Sequence, residues 1–146
     1  MNVRVLIADN QPGARRSLTA LLTAMRWSAP HLPEQATYAR ASAIEIVGEA
    51  ENGRDAIELA SALRPDVLVM DLLPHALSAP VPGPDCLTTI GMIKNALPAT
   101  RIVVLTMYAT DRASVLNAGA DAFLLKGCPT NELLEEIMRP GAANPD

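Results

Sequence analysis

Apolar residues in this chain fall into short runs, each stopping at one polar residue: VRVLIAD ends at Asp9, DVLVMD at Asp71, IVVLT at Thr106 and FLLK at Lys126. Runs that are apolar without alternation suit strands covered on both faces. Strands are predicted over 3–8, 44–49, 67–70, 101–105 and 122–125. Between them the apolar spacing becomes helical. Pro12 opens a pattern with Leu18, Leu21, Leu22 and Met25 on one face, and 53–63 turns Ala56, Ile57, Leu59, Ala60 and Leu63 inward before Pro65 ends it. Further helices are predicted over 85–97, over 111–118 with Gly119 as the stop, and over 130–138. Strict alternation of five strands with five helices predicts right-handed crossovers and a five-stranded parallel sheet, an α/β fold.

Two stretches interrupt this rhythm. SAPHLPEQATYARAS (28–42) has two prolines and no sustained period, and LLPHALSAPVPGP (72–84) has four prolines and one glycine, so both are predicted to be irregular loops. The tail RPGAANPD reads as a linker stub or disordered tail, which makes 1–138 the folded domain, 139–146 the tail, and the chain a truncated piece of a longer regulator.

In an open parallel sheet, ligands bind outside the carboxyl ends of the strands, so Asp9, Asp71, Thr106 and Lys126 should converge on one spot. Two carboxylates, a hydroxyl and an ammonium suit phosphoryl transfer. A hard divalent cation such as Mg²⁺ takes carboxylate oxygens and substrate oxygen, and an Asp carboxylate so screened can attack phosphorus. The lysine and hydroxyl would hold the phosphoryl oxygens. Taken singly, an Asp after a strand is an ordinary turn or cap residue. The joint pattern carries the inference, sharpened by there being only two lysines, Lys94 and Lys126, one of them directly after an apolar run.

Composition narrows the alternatives. A chain of 146 residues fits one domain, and with 49% hydrophobic but 3% aromatic residues its core must be aliphatic. A formal charge of −4 opposes a surface that neutralises nucleic-acid phosphates, so no direct DNA contact is expected. No leader is legible, and no apolar run approaches the roughly 18 residues needed to span a bilayer. A cytoplasmic protein without membrane contact is the expectation. Cys86 and Cys128 are isolated, with no CxxC or His at ligand spacing. DNQPG, after the first strand, contains no glycine-rich phosphate loop, which disfavours a flavin- or nucleotide-binding reading.

The blocks VLIADNQPGARRSLTALL, VGEAENGRDAIELASALRPDVLVMDLLP, IVVLTMYAT and AGADAFLLKG, in that order, resemble the response regulator receiver domains of two-component signalling, in particular the LuxR/NarL-type subfamily. The resemblance implies a flavodoxin-like (βα)5 fold with strand order 2-1-3-4-5. It implies Asp71 as phosphoacceptor, Thr106 as switch hydroxyl, Lys126 as the lysine pairing with the phosphoryl group, and Phe123 as the aromatic switch residue. For Mg²⁺ it implies Asp9, Asn10, Asp71 and the Leu73 carbonyl. A sensor histidine kinase is the implied partner and a phosphorylation-modulated homodimer the implied readout, through the fourth and fifth or the first and fifth helices. An output domain, absent here, would bind DNA. The chain would then be no enzyme beyond its own phosphorylation and dephosphorylation.

Two departures bear on this. The family usually has a second acid where this chain has Asn10; two unit charges about 4 Å apart interact by roughly 4 kcal/mol at an effective dielectric near 20, so losing even a screened fraction of that predicts weak Mg²⁺ binding. The segment HALSAPV (75–81) is an insertion beside the site, and Met107 follows the switch residue where crowding is expected. Together they define the alternative, a degenerate receiver that acts as a phosphorylation-independent interaction module.

Overall fold

The computed structural model describes residues 2–25, 43–71, 84–107 and 112–139. The predicted loop over 28–42 and all but Pro84 of the predicted loop over 72–84, with Trp27, Leu73 and the 75–81 insertion, lie outside these residues, as do Asp111 and the tail beyond Arg139. Strand β1 (Asn2–Asp9) leads to helix α1 (Pro12–Met25), β2 (Ala43–Ala50) to α2 (Gly53–Leu63), β3 (Val67–Asp71) to α3 (Cys86–Ala96), β4 (Arg101–Thr106) to α4 (Arg112–Ala118), and β5 (Ala122–Leu125) to α5 (Thr130–Met138). All pairings are parallel, in the order β2-β1-β3-β4-β5. Element order and sheet order agree with the sequence reading. The strand ends differ by a residue or two, because pairing extends to Asp9, Asp71 and Thr106 themselves.

Alternation along the strands sorts the core into two layers. Leu6, Ala8, Leu68, Met70, Ile102, Val104 and Phe123 pack under α2, α3 and α4. Val5, Ile7, Val67, Val69, Val103 and Leu105 pack under α1 and α5. Both faces of β3 and β4 are therefore buried, which is why their sequences show no alternation. The face predicted for α1 needs one correction: Leu22 is fully buried, but Leu21 is 41% exposed at the helix flank.

Local signals set the helix ends. Asn52 and Asp85 cap α2 and α3, accepting from the N–H groups of Asp55 and Thr88. The Asp85 pKa is lowered by the Thr88 backbone hydrogen bond, then by the Thr88 side chain. Arg64 closes α2 in a left-handed conformation (φ 48°). At the amino edge of the sheet, Lys94 donates to the Thr100 carbonyl and to Asp121, whose carboxylate also accepts the Ile102 N–H. That end is tied by structural polar contacts and leaves the carboxyl edge for chemistry.

Candidate functional site

Asp9 and Asp71 are aligned neighbours at the last paired positions of β1 and β3, so their backbones lie about one strand spacing (~4.8 Å) apart. Each is only 3% exposed. Lys126, one residue past β5, brings its ammonium to 2.7 Å from Asp71 Oδ2 and 3.2 Å from Asp9 Oδ2. Its placement is local: its N–H donates to the Thr106 carbonyl at 2.7 Å, and Gly127 turns the chain at φ 95°, a conformation that favours glycine. The approach to Asp71 lies outside hydrogen-bond angles, so that carboxylate is held by charge at close range. Burial acts to lower the Lys126 pKa, but Asp71 and then Asp9 outweigh it and hold the ammonium above the ordinary lysine value.

The remaining oxygens decide whether a cation fits. The Asp9 carboxylate also accepts the Gln11 N–H at 2.8 Å. By contrast, Asp71 Oδ1 and Asn10 Oδ1 are buried and accept no hydrogen bond among the described residues. Two carboxylates and an amide carbonyl form the all-oxygen donor set that Mg²⁺ prefers, with two acceptors still to be satisfied. The described residues contain no group of three or more His, Cys, Asp and Glu side chains placed to hold a metal. The Leu73 carbonyl lies outside the described residues.

Thr106 and Phe123 stand apart from the carboxylates in a physically meaningful way. Asp71 continues the side of Val67 and Val69, whereas Thr106 continues the side of Ile102 and Val104, where Phe123 also packs. The hydroxyl thus links the carboxyl edge to the layer under α4. Thr106 is fully buried and Phe123 is 8% exposed, with the Arg112 guanidinium 6.0 Å over its ring. Met107 is 67% exposed, so the expected crowding of the carboxylates is not seen. An apolar groove of about 270 Å³ runs from Asp9 and Lys126 between α1 and α5, lined by Leu18, Leu21, Leu105 and Leu133.

All four polar run ends therefore reach one edge. Sequence reasoning passed over Arg15 and Glu49. Arg15 Nη1 donates to the Asp9 carbonyl at 2.8 Å, and its Nε lies 3.4 Å from Glu49 Oε1. The available signal was an arginine one turn into the helix that follows an acid-ending strand.

Known proteins share this sequence pattern and fold. The sequence pattern named "Response regulator receiver domain" matches residues 5–138. The chain is 28% identical over 141 residues to the response regulator protein VraR of Staphylococcus saprophyticus, covering 95% of this chain and 56% of VraR. It is 36% identical over 142 residues to protein-glutamate methylesterase/protein-glutamine glutaminase 3 of Myxococcus xanthus, covering 95% of this chain and 33% of that protein. The chain thus spans about half or less of these relatives. Among solved structures, the signal receiver domain of NarL from Mycobacterium tuberculosis superposes with a TM-score of 0.68 at 24% identity, covering 93% of each chain, a likeness of fold. No helix among the described residues is long and apolar enough to cross a membrane.

Proposed function

We propose that this chain, which belongs to the response regulator receiver domain family of two-component signalling, accepts a phosphoryl group on Asp71 from a sensor histidine kinase and uses it to switch an output. One observation carries the reading: the Asp71 carboxylate is buried at the carboxyl edge of the sheet, within 2.7 Å of the Lys126 ammonium, with Oδ1 left without a hydrogen bond. An Asp71 oxygen would form the new bond to phosphorus as the bond from phosphorus to the donor's imidazole nitrogen breaks, with the nitrogen keeping the electron pair. Lys126, already charged at neutral pH, would exchange its contact with the carboxylate for one with a phosphoryl oxygen. Asp9, Asn10 and Asp71 would hold Mg²⁺, joined by the Leu73 carbonyl, and the ion would supply charge neutralisation for the carboxylates and the phosphoryl oxygens.

Thr106 would move toward the new anion, and Phe123, packed in the same layer, would follow. That supplies the differential contacts a two-state switch requires. The readout in this reading is a homodimer through α4 and α5 or through α1 and α5. The receiver spans 1–138, with 139–146 leading to a DNA-binding output domain of the kind that LuxR/NarL-type regulators carry. Intact mass after incubation with acetyl phosphate and Mg²⁺ tests the nucleophile. A metal-dependent adduct of one phosphoryl group, absent in Asp71→Asn, is expected; an adduct that persists in Asp71→Asn would refute the assignment. Asn10 favours a second reading, a phosphorylation-independent interaction module, which takes precedence if neither acetyl phosphate nor a beryllofluoride mimic engages the site.

A further inference from the structure

The Asp9 carbonyl lies one residue past the pairing of β1 with β2, which stops at Ala8 and Ala50, while Asp9 itself still pairs with Asp71 of β3. Arg15 takes over that acceptor. The contact from Nη1 is 2.8 Å, and the arginine is itself anchored: its N–H donates to the Gln11 carbonyl in the first turn of α1, and its Nε faces Glu49 at the end of β2. The Arg15 side chain is 16% exposed. The carbonyl it grips belongs to the peptide unit joining Asp9 to Asn10, and that planar unit sets where the Asn10 side chain leaves the backbone. Asn10 Oδ1, on the residue that follows Asp9, is buried and accepts no hydrogen bond among the described residues. The peptide held by Arg15 is then a part of Asn10 that a hydrogen bond does fix.

We propose that Arg15, braced by Glu49, is a positioning residue for the cation site: it clamps the peptide between Asp9 and Asn10 so that an amide oxygen can serve where this chain lacks a second acid. The inference rests on the receiver reading for the presence of the cation, and it concerns a residue that touches neither the cation nor the phosphoryl group. Charge and position predict opposite signs. Arg15 is a cation near a cation site, so removing it would tighten Mg²⁺ binding if only charge mattered. Removing a clamp loosens the binding, by about tenfold on the pattern of outer-shell partners elsewhere.

The experiment is a Mg²⁺ titration of the whole chain followed by amide NMR, comparing the natural sequence with Arg15→Met, Arg15→Lys and the charge-conserving pair Arg15→Met with Glu49→Gln, alongside thermal melts and the Mg²⁺ dependence of acetyl phosphate labelling. The expected result is a midpoint raised about tenfold in Arg15→Met and in the pair, with partial recovery in Arg15→Lys. The labelling rate at saturating Mg²⁺ should change far less than the midpoint. Tighter or unchanged Mg²⁺ binding in folded Arg15→Met would overturn the proposal, as would a natural chain that shows no Mg²⁺ response. If the natural chain binds Mg²⁺ but is never labelled, and the midpoint still rises in Arg15→Met, the positioning role stands and the phosphoacceptor reading falls.

Discussion

Replacing Lys126 by Met leaves two carboxylates, each 3% exposed, side by side at the last paired positions of β1 and β3 without their shared counter-charge. At an effective dielectric near 20, contacts at 2.7 and 3.2 Å each carry roughly 5–6 kcal/mol of Coulomb attraction, much of it offset by desolvation. Removing one partner of a buried pair costs about 3–5 kcal/mol in measured cases; Lys126 keeps 26% of its side chain exposed, so about 3 kcal/mol is the expectation at pH 8. For a chain of 146 residues that corresponds to a fall in Tm of about 6–12 °C.

Mg²⁺ should stabilise Lys126→Met more than the natural chain, because no ammonium then competes for the carboxylates. Urea unfolding at pH 8, with and without Mg²⁺, checks both points. No deficit at pH 8 would refute the placement of Lys126 as counter-ion of the acid pair.

Asn10→Asp adds a charge at a buried oxygen that has no hydrogen bond, so Mg²⁺ affinity should rise tenfold or more on screened Coulomb grounds, with a lower Tm in metal-free buffer; a titration that shows no gain would remove Asn10 from the cation site. Asp85→Ala should cost about 1 kcal/mol by uncapping α3. Because the folded Asp85 pKa is depressed, that contribution is present above the unfolded value near 4 and lost as pH falls through the folded one, so denaturation curves of variant and natural chain should converge in acid. Gly53→Ala would drive a Cβ into Thr89 Oγ1 and set it 2.6 Å from the Pro84 carbonyl, and the overpacking should cost about 1–3 kcal/mol in a urea melt. In the natural chain, the raised Lys126 pKa means its stabilisation is intact below about pH 10.4 and declines as alkaline pH passes the folded value, which an alkaline melt series would show.

Much of the molecule was written locally. The uninterrupted apolar runs marked β3 and β4 as strands covered on both sides, Asp85 announced the start of α3, and Gly119, at φ 123°, sits where α4 stops. Because a parallel α/β sheet gathers the carboxyl ends of its strands at one edge, the run ends Asp9, Asp71, Thr106 and Lys126 were legible as lying at one edge before any contact was known.

Other features depended on which elements became neighbours. Leu21 looked inward by helical spacing, yet α1 packs on β1 and β2 so that Leu22 is buried and Leu21 borders the groove toward α5. That Lys126 contacts both acids follows from β5 lying two strands from β3 and from the turn at Gly127; no spacing of residues 9, 71 and 126 along the chain encodes a distance. Arg15 and Glu49 were invisible for the same reason: an arginine on a helix surface and a glutamate at a strand end are common residues until the fold sets both beside the last carbonyl of β1. Sequence alone determined the elements, their alternation and the chemistry at the strand ends, because these depend on near neighbours and on the period of the chain. Only the tertiary structure decided which charges meet and which oxygens are left without a partner, because burial and contact across strands are properties of the packed sheet.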